Sequence, residues 1–273
     1  MTNEQILNQR WKNIDKYLKE YLVSYKKVNR KTRDKIQNVF NSLNIKYSDI
    51  NKPISKALKG RLERYLLGLK EKGLFKEYFG YKARLLLNKT NITYQEYLEI
   101  MLLGIYVEEN KELDEVNNIL FYSASEDSYN RGIKDIPNAK PISFKLPILY
   151  TILNIPILNA TAEAYLYSLA LTNAEELLKQ TLAYIQLDKE LDVESKYYIE
   201  IFNKQQNRYI SIRKDNIGDS NNSSVKMSGA VVNITENISN LSYLQAGKDA
   251  NIKECRFIAE MDKRTTKMCE TLN

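Results

Sequence analysis

The chain has no histidine, and among its 273 residues only two cysteines, five prolines and nine glycines. Without imidazole it has no histidine general base and no histidine metal ligand. A tetrahedral zinc site needs four ligands, and Cys255 and Cys269 stand fourteen positions apart with no histidine to join them, so neither a metal site nor a cofactor is expected. Two such cysteines suit a reducing compartment. The phosphate-cradling glycine loops, the zinc-protease helix motif and the nucleophile elbow are all missing, and enzymatic activity is not expected. Acidic pairs such as Glu108-Glu109 and Glu126-Asp127 read as solvated helix faces. No apolar run approaches the roughly 18 residues of a membrane-spanning helix, and Met1 to Arg10 is polar. The expectation is a soluble protein without a membrane partner, assembled in the cytoplasm.

What is present is lysine, tyrosine and a lopsided charge. Residues 1 to 89 carry 22 Lys+Arg against 8 Asp+Glu, a net +14, and residues 90 to 273 carry 19 against 26, a net −7. A cationic first half suits a polyanion or an acidic partner surface, although lysine-rich helices can also simply solvate themselves. The densest stretch holds Lys26, Lys27, Arg30, Lys31, Arg33 and Lys35. Spread round a helix, these cations would meet phosphates on more than one side without reading sequence, which makes them the candidate nucleic-acid contacts.

Trp11, Ile14, Leu18, Tyr21, Tyr25 and Val28 recur at spacings of three and four, the stripe of an amphipathic helix. One long helix or two in series are expected over residues 4 to 44, with the stripe as core rather than as a base-stacking platform. Asn51-Lys52-Pro53 marks a turn. The helical pattern resumes through Leu58, Leu62, Tyr65, Leu66 and Leu69, closed by Gly68 and Gly73. Thr93 and Glu96 form a capping box that opens a helix reaching about Tyr129, with Gly104 allowing close packing and Arg131-Gly132 ending it.

Four of the five prolines, 137, 141, 147 and 156, fall within twenty residues. That density predicts an extended, packed connector or short strands. Beyond it, helices are expected over about 160 to 187 and 192 to 214, a mobile loop over 216 to 229, a helical or β segment over 230 to 244, and a turn at Ala246-Gly247 into a final strand. The domain reading is a basic helical domain at 1–136, the connector at 137–158, a helical segment at 159–215, the loop at 216–229 and a small tail at 230–273. The predicted fold class is mainly α, an elongated helical body with a small β-containing C-terminal tail, α+β overall.

The last nineteen residues carry the only ordered pattern. Cys255 to Ala259 is short, apolar and β-prone, and Asp262 to Thr266 has the composition of the turn after a strand, where Asp262 can accept backbone N–H groups and Arg264 can pair with it or with a neighbouring chain. One reading of such a sequence is that it merely closes a strand and its turn. Taken as an apolar run followed by Asp262-x-Arg264-Thr265-x-x-x-Cys269 and Leu272-Asn273, it resembles the C-terminal signature of the phage Mu F and SPP1 minor head (minor capsid) proteins of tailed bacteriophages. Thr266 stands where that family often has a first Cys, and the pattern stops one residue before the family's Gly. Arg213-Lys214-Asp215 looks like a degenerate form of the Arg-Thr-Glu that commonly precedes that family's terminal strand.

The resemblance implies a structural role in head morphogenesis. Portal protein, major capsid protein or scaffold would be its partners, packaged DNA a further contact, the virion its place, and the particle would set its oligomeric state. It makes Asp262, Arg264, Thr265 and Cys269 the candidate docking residues. Two other readings stay open: a helical nucleic-acid-binding or regulatory protein acting through the basic first half, and a metal-dependent nuclease or toxin-like domain completed by another chain.

Overall fold

In a computed structural model the structure describes residues 3–43, 47–156, 160–186 and 227–252. These residues are mainly helical, with seven α-helices, one short 3-10 turn at Tyr47–Asp49 and no strand beyond a single bridge between Pro53 and Thr93. The helices are α1 (Asn3–Asn41), α2 (Lys56–Glu71), α3 (Glu77–Leu87), α4 (Tyr94–Asp135), α5 (Leu146–Leu153), α6 (Ala162–Gln186) and α7 (Met227–Asp249). None is long and apolar enough to cross a membrane. The chain forms two compact units, one of residues 22–116 and 163–209, the other of 1–21, 117–162 and 210–273.

In the first unit α4 is the central element, because every residue from Leu102 to Asn110 is buried. A helix covered on all sides needs apolar residues at nearly every position, which Leu102, Leu103, Ile105, Tyr106 and Val107 supply. Its start is the expected capping box: the Thr93 hydroxyl accepts from the Glu96 amide at 3.3 Å while Glu96 Oε2 accepts from the Thr93 amide at 3.0 Å. At Gly104 an added Cβ would lie 3.0 Å from Leu69 and Tyr65, so α2 crosses α4 closely there. Helix α1 is continuous, and Tyr21, Tyr25 and Val28 are core, as the stripe predicts, with Ile36 and Val39 continuing it; the side chains of Trp11, Ile14 and Leu18 lie outside the described residues.

The α2 terminus separates the two glycines expected to close it. Gly68 is inside the helix, whereas Gly73 has a φ of 71°. Its amide donates to Lys70 O at 2.9 Å and the Leu74 amide to Leu69 O at 3.0 Å, a paired closure that needs a left-handed residue. Helix α7 ends the same way on Asn251, at φ 60°, with the Ile252 amide donating to Gly247 O at 2.9 Å.

Three expectations in the second unit are corrected. Helix α4 does not stop at Arg131-Gly132 but runs on to Asp135, because an added Cβ at Gly132 would lie 2.7 Å from Ala246 Cβ; the glycine admits α7 rather than ending α4. The proline-dense connector is packed but not wholly extended. It contains α5, whose Pro147 sits in the first helical turn, where its missing N–H and fixed φ are harmless. Around it Ile142, Phe144 and Ile148 cover a core of Tyr129, Ile133 and Ala246. Residues 227 to 249 form a helix, so Met227 to Gly229 are not loop and Ala246-Gly247 is not a turn into a strand. That helix buries Ala230, Val231, Ile234, Thr235, Ile238, Ser239, Ser242 and Ala246, and the alanines and serines among them let it lie close to its neighbours. The segment at 192–214, the residues 216–226 and the expected terminal strand lie outside the described residues.

Candidate nucleic-acid interface

The six candidate cations all lie on α1, and the helix divides them. With 100° between successive residues, Tyr25, Val28, Thr32 and Ile36 define the buried side, and Lys26, Lys27, Arg30 and Arg33 fall on the opposite arc. All four are exposed and make no hydrogen bond or ion pair with another described residue. Asp34 is the acid among them and is exposed as well. Lys31 and Lys35 lie on a flank turned to α4. Lys31 Nζ is 2.9 Å from Glu112 Oε2, and Lys35 Nζ is 3.1 Å from Glu108 Oε2 and 3.9 Å from Glu112 Oε1. The structure therefore does not bring the six together as one surface. Four point outward, and two hold α1 against α4.

Glu108 receives a second lysine. Lys72 Nζ, just past the end of α2, donates to Oε1 at 2.7 Å, and the Tyr65 hydroxyl donates to Oε2 at 3.3 Å. Contrary to the expectation of a solvated face, Glu108 is 7% and Glu109 2% exposed. A charge so placed is tolerated only with partners, and Glu108 has three. Burial by itself would raise its carboxyl, but the hydrogen bonds and charges of Lys72 and Lys35 more than offset this and hold it below the usual glutamate range. The Tyr65 hydroxyl is pushed well up, by burial first and then by the Glu108 charge and hydrogen bond. These partners were not legible in the sequence, since nothing there places Lys72 or Tyr65 beside residue 108.

Two further acids near the start of α4 act as counter-charges too. Lys89 pairs with Glu96 and Lys82 with Glu99. Asp114, by contrast, is destabilised: burial, and then the charge of Glu163 on α6, raise its carboxyl to about 6 against the opposing pull of Lys111 and Lys76.

Among the described residues no three Cys, Asp or Glu come together in a metal-holding group. The pattern residues Asp262, Arg264, Thr265 and Cys269 lie outside the described residues. No family model, curated protein or solved structure matches the chain.

Proposed function

We propose that this chain is a structural minor head protein of a tailed phage, joined to the portal or the inner capsid and contacting DNA through the outward face of α1. The observation that carries the particle assignment is the ordered run Asp262-x-Arg264-Thr265-x-x-x-Cys269 with Leu272-Asn273. In this reading the helical units form the body, the tail docks on portal, major capsid or scaffold protein, and no catalytic step is involved. The protein is assembled in the host cytoplasm and ends in the virion, and the particle sets its copy number.

The test is incorporation. Purified heads should contain the chain, and Arg264→Ala should lower its recovery in heads while leaving the melting of the purified chain unchanged. Recovery equal to wild type would move the docking surface to the helical body. Absence of the chain from heads would reject the particle role.

A second reading, a helical protein that binds nucleic acid without sequence preference, is favoured by the four outward cations. Affinity for duplex DNA should fall steeply with salt, with a log-log slope of about 0.9 per neutralised phosphate. Replacing Lys26, Lys27, Arg30 and Arg33 by Gln should flatten that slope, while Gln at Lys31 and Lys35 should flatten it less. No binding of the wild type at about 50 mM salt would leave the charge without a nucleic-acid role.

A further inference from the structure

Helix α3 is apolar on two sides. Phe79, Ala83 and Leu86 are buried, and on the other side Tyr78, Tyr81 and Leu85 are 41%, 58% and 52% exposed. At spacings of three and four these three share one stripe, and the tyrosines are separated by about 4.5 Å along the axis. Tyr81 has no hydrogen bond or ring contact with another described residue, and one face of Tyr78 is approached by Lys82 Nζ, 5.3 Å from the ring centroid.

The stretch of chain that contains α3 is cationic. Residues 52 to 89 carry 11 Lys+Arg against 3 Asp+Glu. Lys82 and Lys89 are paired with Glu99 and Glu96, but Lys76, just before α3, and Arg84 on it are exposed without an ion pair to a described residue. Glu77 is the exposed acid on α3 itself.

We infer that the Tyr78-Tyr81-Leu85 face of α3 binds single-stranded nucleic acid, with bases stacking on the exposed tyrosines and phosphates meeting the surrounding lysines and arginines. Charge selects a polyanion, and exposed rings select a polyanion with free planar faces. A duplex keeps its base faces stacked inside, and an acidic polypeptide supplies charge without stacking partners. The inference rests on the nucleic-acid part of the reading above and locates it on a second helix.

Fluorescence anisotropy on the full chain with labelled oligo-dT and with a DNA duplex of equal length tests it. Tyr81→Ala should weaken oligo-dT binding by about 5- to 100-fold and leave duplex affinity unchanged, and Tyr81→Phe should bind like wild type. Tyr81 is exposed, so circular dichroism should show the helical content of Tyr81→Ala intact. An unchanged oligo-dT affinity, or an equal loss for strand and duplex, overturns the inference. So does a surface that binds poly-glutamate, but not oligo-dT, in a Tyr81-dependent way, since that would make it a protein-docking face. The two nucleic-acid surfaces fail separately. If neutralising Lys26, Lys27, Arg30 and Arg33 abolishes duplex binding while Tyr81→Ala changes nothing, only the α3 face is wrong; the reverse pattern rejects the α1 face.

Discussion

Helix α4 is held by lysine–glutamate pairs along one stretch and by hydroxyl hydrogen bonds and a close glycine contact along another. From Glu96 to Glu112 its partners are Lys89, Lys82, Lys72, Lys35 and Lys31. From Ser125 to Asp135 they are the Ser242 hydroxyl at 2.6 Å, the Asp249 carboxylate reached by the Tyr129 hydroxyl at 2.6 Å, the Tyr243 hydroxyl at 3.0 Å from Asp135, and Ala246 against Gly132. The first stretch belongs to the unit with the basic surface, and residues 22 to 116 hold 19 Lys+Arg against 12 Asp+Glu. Lysines that face inward there meet acids of α4, so the unpaired excess is confined to outward faces such as those of α1 and α3. The second stretch is closed instead by hydroxyls on carboxylates, a serine pair and the methyl of Ala246.

The largest effects should come from filling the tightest described glycine in each region. An added Cβ at Gly80 would lie 2.4 Å from the backbone carbon of Phe75, and at Gly132 2.7 Å from Ala246 Cβ. Alanine gains about 1 kcal/mol of helix propensity at either position, but overpacking costs about 1–3 kcal/mol, and more against backbone that cannot move. Gly80→Ala should therefore destabilise more than Gly132→Ala in denaturant melts. A stabilised Gly132→Ala would show that α4 and α7 do not approach as closely as drawn.

These glycines also mark what the sequence could reveal. Periodicity showed α1, the Thr93-Glu96 box showed where α4 begins, and a glycine after an apolar run showed the end of α2. Each of these signals is local. Gly132 read as a terminator because its reason for being glycine is Ala246, more than a hundred residues away. Pro147 read as a breaker because a proline in a first turn looks the same as one in a connector until the N-cap is known. Glu108 read as surface because two adjacent glutamates usually are, and its partners arrive from α1, from α2 and from just beyond it. Of the candidate interface, the sequence identified the residues but not their division between outward contact and inward pairing.

Glu108→Gln should sharpen the charge side of the comparison. Hydrogen bonds to a charged group are worth about 1.5–3 kcal/mol, and the glutamine keeps the shape while losing the charge for Lys35 and Lys72, so a loss of about 2 kcal/mol is expected at neutral pH. Because the folded carboxyl is held below its unfolded value of about 4.3, its contribution is present above that pH and disappears as acid protonates it. The gap between wild type and variant should narrow below about pH 4 and shrink in about 1 M salt, where the Debye length is about 3 Å. Ser125→Ala combined with Ser242→Ala should cost about 1 kcal/mol, with no such dependence on pH or salt. A Glu108→Gln cost indifferent to both would mean that shape rather than charge holds this stretch.

The smallest effect should have the opposite sign. Asp114 lies between the two stretches described for α4, half-buried and within reach of the Glu163 charge, with its carboxyl raised to about 6 while Lys111 and Lys76 pull it the other way. Between about pH 4, where an unfolded aspartate loses its proton, and pH 6 the folded chain holds a proton that the unfolded chain has released. Stability therefore falls as pH rises through that window and stays level above it. Asp114→Asn removes the ionised form and with it that loss. The gain should be roughly 1 kcal/mol at pH 7 once solvent screening of a partly exposed group is allowed for, and it should vanish below about pH 4. Melting midpoints of the two proteins across this range decide the matter. If the asparagine variant gains as much at pH 4 as at pH 7, its benefit is packing, and the repulsion from Glu163 plays no part.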